Sequence, residues 1–235
     1  MDNPEFLQVI SNSFRNFLET GSRSNEKLKI LHGAIARDLL QRLGSGYYIN
    51  SLGLNDGRES NIKGRYIDKK VDITIFHQCQ VIAGIGVKFV MQNYSQNSNN
   101  YFENMLGETA NIRCSNIPYF QIFIIPDKLP YYKKDGNFQK WELFTMHNAY
   151  KYLKLSEDNT DVSIHTPSKT LLYVIDLPSM EKDPKNRDEY NSYYRKLDPL
   201  SIGKSNNDYG EFKKTVVFND YDAFASKVVY YIKSL

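Results

Sequence analysis

The first forty-odd residues alternate apolar and polar positions at helical spacing. Phe6, Ile10, Phe14 and Phe17 or Leu18 share a face over 4–19, and Asn3 ahead of Pro4 reads as an N-cap followed by a first-turn proline. Leu28, Leu31, Ile35, Leu39 and Leu43 repeat the pattern over 25–43, after Ser24 and before a stop at Gly44. From Tyr47 the period changes. YYIN, GRYIDKKVDITIF, VIAGIGVKFV and YFQIFIIP are rich in β-branched and aromatic residues and bounded by Gly, Asn and Pro, so they predict strands, with a hairpin turn between the second and third. Between the last two, 98–113 returns to helical spacing through Phe102, Met105, Leu106, Ala110 and Ile112. A helix linking two strands of one sheet makes them parallel neighbours. Further on, FQKWELFTMHNAYKYLKL (138–155) predicts a helix, LLYVIDLP and KTVVF strands, and the C-terminal stretch a helix capped at Asn219 with Phe224, Val228, Tyr231 and Leu235 as its stripe. Residues 179–213 are polar apart from Leu197, Leu200 and Ile202, and read as a solvated loop or a DNA-facing lobe. The expected fold is α/β, a mixed central sheet flanked by helices.

Composition narrows this little. At 235 residues, 41% hydrophobic and 24% charged, the chain is an ordinary globular one, long enough for a substantial core. It reads as one domain over 1–235: N-terminal helices in 1–44, a core in 45–126, and additions in 127–235 that would contribute DNA recognition. No apolar run approaches the roughly 20 residues of a membrane span. The start lacks a basic region followed by an apolar stretch, so no secretory signal is expected and the cytoplasm is the expected location. Two cysteines make no disulfide framework, and His32, His77, His147 and His165 are scattered singly without zinc-ligand spacing. The net charge of +3 is too small to indicate nucleic acid by itself. More telling are 18 Tyr and 13 Phe, many beside basic residues. Tyr131, Lys133 and Lys134 in YYKKDG, and Arg187, Arg195 and Lys196 around YNSYYRK, are the candidate DNA contacts.

Two charges sit where apolar strands should exclude them. Asp72 lies among Val71, Ile73 and Ile75, and Lys88 closes the run Val81, Ile82, Ile85, Val87. An acid on one strand and a lysine on its neighbour suit phosphodiester hydrolysis, in which a cation held by carboxylates neutralises charge on the phosphate and activates water. The lysine then orients that water or stabilises the phosphorane. With thirteen residues between Asp72 and position 86, Lys88 two positions beyond, and a strand, helix, strand order afterwards, residues 45–126 resemble the PD-(D/E)XK nuclease superfamily, which includes most type II restriction endonucleases. Val71 stands in place of the motif proline and Gly86 in place of the second acid.

The resemblance implies a restriction-endonuclease-like core, Mg2+ as cofactor, double-stranded DNA as substrate, a homodimer acting on a palindromic site and a cognate methyltransferase. It also implies a relocated second acid, since some members carry it on the helix after the lysine strand. Glu103 is the expected replacement, reaching into space left at Gly86, so that Asp72, Lys88 and Glu103 form the catalytic set and Asp72 and Glu103 hold the metal. A capping role for Glu103 with Asn100 is the competing reading, and Glu108 is the substitute acid. Glu59, ahead of the Asp72 strand, and Gln96 with Asn97, after Lys88, are further candidates. Two other functions stay open: a catalytically inactive DNA-binding module, with Gly86 recording loss of the metal site, and an interaction protein in which Asp72 and Lys88 form an ion pair. The recognition sequence is not legible.

Overall fold

The computed structural model describes residues 1–21, 24–55, 57–92 and 94–235. Two helices come first. Helix α1 (Asn3–Thr20) starts one residue earlier than the Asn3 cap implied: Asp2 accepts from the Glu5 amide, and the Glu5 side chain accepts from the Asp2 amide. Asn3 is engaged elsewhere. Its Oδ1 accepts from Tyr221 N at 2.7 Å and its Nδ2 donates to Asp220 Oδ1 at 2.9 Å, tying the two ends of the chain together. Helix α2 (Glu26–Leu43) ends at Gly44, as the pattern predicts.

Strands β1 (Tyr47–Ser51), β4 (Ile73–His77), β5 (Gln80–Phe89), β6 (Tyr119–Pro126), β9 (Lys169–Asp176) and β10 (Gly203–Lys204) lie in that order across the main sheet, with β11 (Val216–Phe218) also on β9. The β1, β4 and β5 pairs are antiparallel, and β5, β6 and β9 run parallel. The fold is therefore α/β with a mixed sheet, as expected, and β5 and β6 are parallel neighbours across α3 (Tyr94–Arg113). Residues 127–235 extend this sheet rather than standing apart from it. Its central strands are covered on both faces, which is why β6 is apolar at nearly every position. Phe120, Ile122 and Ile124 join α1, α2 and α6 (Tyr221–Lys233) in one core, while Phe123 and Ile125 join α3 and α4 (Met146–Glu157) in the other.

Four further expectations are corrected. The segment GRYIDKKVDITIF is not one strand: β3 (Asp68–Val71) pairs with an unforeseen β2 (Ser60–Lys63), and the chain bends at Asp72 before β4. Residues 138–143 form β8 (Phe138–Leu143), a hairpin partner of β7 (Lys128–Tyr132), because Thr145 and Asn148 make a capping box that delays the helix to Met146. The segment 179–213 is not a solvated loop. It contains α5 (Arg187–Lys196) and β10, and its Tyr190, Tyr194, Leu200 and Ile202 are buried in the core. Finally, the last helix is capped by Asp220, whose side chain accepts from Ala223 N, while Asn219 bonds Val174 N on β9.

Candidate metal centre

Asp72 sits at the bend between β3 and β4, where strand pairing gives way to side-chain bonding. Its carbonyl accepts from Ser51 Oγ at 2.8 Å, and its Oδ2 accepts from Val87 N at 2.7 Å, so the carboxylate takes a β5 amide that a strand carbonyl would otherwise hold. It opens on a cavity of about 400 Å3 lined also by His32, Gly86, Lys88, Glu108 and Gln121. Burial pushes the Asp72 carboxyl up to about 6, opposed by the Val87 amide and by Lys88 and Lys69, and reinforced by Glu108.

His32 was not singled out by sequence. It is 1% exposed, and neither ring nitrogen has a hydrogen-bond partner among the described residues. Helix α2 brings it there through a close approach: a Cβ at Gly33 would lie 2.5 Å from Gly53 O, so only glycine lets α2 rest on the turn after β1. Nδ1 of His32 lies 4.0 Å from Asp72 Oδ1. Ligand atoms of His32, Asp72 and Glu59 all fall within 4.8 Å of one another, the one such grouping among the described residues. Metal–ligand bonds of about 2.0–2.2 Å place opposite ligands about 4 Å apart, so this set fits a small divalent ion with slight closure. Burial pushes His32 down to about 4, with Glu59 opposing, and the imidazole is neutral near pH 7, the form that ligates. Glu59, itself largely buried, is held by Lys70 at 3.2 Å.

Of the two acids on α3, Glu108 and not Glu103 faces the Asp72 cavity. Tyr101, Asn104, Met105 and Glu108 of α3 line the cavity, a stripe at helical spacing that excludes position 103. Glu103 is exposed and its charge acts on Lys151 instead. Its capping role with Asn100 also falls, because α3 begins at Tyr94 and both residues are interior. Glu108 pairs with Lys69 at 2.5 Å and accepts from the Tyr119 hydroxyl at 3.3 Å. The space expected at Gly86 is taken: a Cβ there would lie 2.4 Å from Tyr119 Oη and 2.7 Å from Gln121 Oε1. Gln121, opposite Gly86 on β6, thus brings a buried carboxamide to where the motif acid would stand.

Lys88 is half-buried, its Nζ 4.2 Å from the centre of the Tyr101 ring. Burial lowers its pKa, while Asp72 and Glu108 raise it. No ion pair joins Asp72 and Lys88 among the described residues, which removes the direct-pair reading. Of the candidate DNA contacts, Lys133, Lys134, Arg187, Arg195 and Lys196 are exposed and Tyr131 is half-buried. Three of them also have partners within the fold: Tyr131 accepts from Gln96, Arg187 stacks over Tyr132, and Arg195 Nε donates to Leu18 O at 3.0 Å.

Set against family models, curated proteins and solved structures, the chain finds no match in any of the three.

Proposed function

We propose that this protein is a metal-dependent endonuclease of double-stranded DNA, of the type II restriction class. One observation carries the reading: a fully buried imidazole with no hydrogen-bond partner among the described residues lies at ligand separation from Asp72 and Glu59, and His32 and Asp72 line the cavity that also holds Lys88 and Glu108. A buried polar atom without a partner costs on the order of 1–3 kcal/mol, and two such atoms on one ring call for an occupant. Asp72, His32 and Glu59 would hold the cation, which when bound neutralises phosphate charge and lowers the pKa of its water. Lys88 places a positive charge beside the transferring group. Glu108, already bonded to Lys69 and Tyr119, is the carboxylate available to accept a proton from the attacking water. The two carboxylates suit Mg2+, and the imidazole favours Mn2+ over it. A homodimer on a palindromic site and a protecting methyltransferase belong to the same reading.

A second reading, DNA binding without cleavage, is favoured by the closure of position 86 by Tyr119 and Gln121. Incubating purified protein with unmodified plasmid and phage DNA in Mg2+, Mn2+ or EDTA separates the two. Discrete metal-dependent fragments, absent with Asp72→Asn, support the nuclease. DNA binding with no cutting under any metal supports the second reading.

A further inference from the structure

The β2–β3 hairpin ends in Gly64-Arg65-Tyr66-Ile67, whose two apolar side chains are among the most exposed in the molecule, Tyr66 at 82% and Ile67 at 65%. An ordinary exposed tip is polar and free to move. This one is pinned. Asn111, buried on α3, accepts from Tyr66 N at 2.9 Å and Ile67 N at 3.3 Å through its side chain, donates to Ile67 O at 2.8 Å, and accepts from Arg65 N at 2.8 Å through its carbonyl. The approach is so close that a Cβ at Gly64 would lie 2.1 Å from Asn111 Nδ2. Four hydrogen bonds therefore hold the backbone so that Tyr66 and Ile67 point into solvent.

The surroundings say what such a projection meets. Lys63 and Arg65 flank it, exposed and without an ion pair among the described residues, and Asp68 is the one nearby acid of the tip. Behind it, Lys69 and Lys70 bond Glu108 and Glu59, so the hairpin is braced directly on the metal centre. Asn111 lies one turn beyond Glu108 on the same helix, which fixes tip and centre to one rigid element. Tyr66 stands six positions before Asp72, at most about 20 Å along an extended strand, or about six base steps of duplex. Two copies of this tip facing each other would oppose like charges, whereas a phosphate backbone complements them.

We propose that the Arg65–Ile67 tip is a wedge: Tyr66 and Ile67 enter the base stack of duplex DNA while Lys63 and Arg65 hold the flanking phosphates. This rests on the DNA-binding part of the reading above and adds how the duplex is engaged. Apolar side chains that part a base step meet a cost set by stacking, and that cost falls where the stack is already interrupted.

The test is fluorescence anisotropy in EDTA, with a short labelled duplex, fully paired or carrying a single-nucleotide bulge. The wild-type protein is expected to bind the bulged duplex about tenfold more tightly. The Tyr66→Ala/Ile67→Ala variant should bind both within about twofold, with its melting temperature unchanged, and Tyr66→Phe/Ile67→Leu should keep the preference. An undiminished preference in the double-alanine variant, or none in the wild type, overturns the wedge alone if DNA is still bound. Failure of the wild type to bind either duplex removes the wedge together with the DNA reading. A change in oligomeric state of the double variant without DNA would assign the tip to contact between copies and also overturn it.

Discussion

Two of the cavities among the described residues are close in size, and size does not tell them apart. The one beside Asp72 measures about 400 Å3, and the one beyond the ends of β6 and β9 about 490 Å3. Each holds an aspartate whose carboxyl burial pushes upward, Asp72 in the first and Asp127 in the second. The difference lies in satisfaction. In the second, Trp141 Nε1 donates to Asp183 at 2.7 Å, Tyr194 Oη to Pro178 O and Tyr209 Oη to Phe144 O, and none of its lining residues has an orphaned buried atom. In the first, His32 has two. A cavity whose polar groups already bond one another is a packing feature. One that leaves an imidazole without a partner against a carboxylate is the better candidate for a ligand site.

The sharpest way to break this contrast is to remove one aspartate from each cavity. Asp72→Asn should lower metal-dependent cleavage by about 10^3-fold or more with DNA binding retained, and Asp127→Asn should leave it within about twofold, both read as plasmid cleavage rates. Equal losses would mean the cavities had been wrongly distinguished. Lys88→Ala should lower the rate by about 10^2-fold. Because Lys88 makes no ion pair with Asp72, its melting temperature should stay near that of the wild type; a large fall would return it to a structural role. On α3, Glu108→Gln should cost about tenfold or more in rate, while Glu103→Gln, on the exposed side, should cost nothing measurable.

A smaller effect separates ligand from core residue at position 32. His32→Leu should weaken Mn2+ binding by about tenfold in titration calorimetry, and weaken Mg2+ binding less. It should also raise the melting temperature in EDTA, because an apolar side chain replaces an orphaned polar one. A histidine serving only as packing would show the second change without the first.

The smallest signal is the pH dependence of stability without metal. His32 titrates near 4 when folded against about 6.5 unfolded, so the unfolded chain binds the extra proton and stability rises from pH 4 to 6.5. Asp72 titrates near 6 when folded against 3.8 unfolded, so its contribution is present at low pH and is lost as pH rises to about 6. The two slopes oppose each other over the same window. Asp72→Asn should therefore unmask a melting temperature that climbs from pH 4 to 6.5, by on the order of 3 kcal/mol in stability, and His32→Leu one that falls from pH 4 to 6. Identical profiles in the two variants would show that the groups do not titrate as their surroundings dictate.

What the sequence disclosed and what it hid follow from range. Asp72 and Lys88 were legible because a charge flanked by strand-forming apolar residues is a local signal, even though Asp72 stands at the bend between β3 and β4 rather than within a strand. The parallel pairing of β5 and β6 followed from the helix between them. Choosing between Glu103 and Glu108 required the start of α3, since a helix rotates about 100° per residue and the facing stripe depends on register against the sheet. The same dependence put Tyr119 and Gln121, rather than open space, beside Gly86. His32 did carry a trace, a polar residue on the stripe of Leu28, Leu31, Ile35 and Leu39, as did Gln121 within YFQIFIIP. Their meaning came only when the fold set them against residues far away in the chain. The segment 179–213 misled for a different reason: its anchors are tyrosines, Tyr190 and Tyr194, which pack as core residues while reading as polar.

The closure of position 86 also orders the routes by which this centre can change. An acid introduced at Gly86 alone would collide with the Tyr119 hydroxyl and the Gln121 carboxamide, so that lineage must first empty the space, passing through a form with a hole in its core. Gln121 needs no such intermediate. Exchanging its amide for an acid keeps shape and rotamer and delivers a carboxylate to the same point from the neighbouring strand. A carboxylate at the place of the motif's second acid is thus one substitution away, with no hole opened in the core along that path.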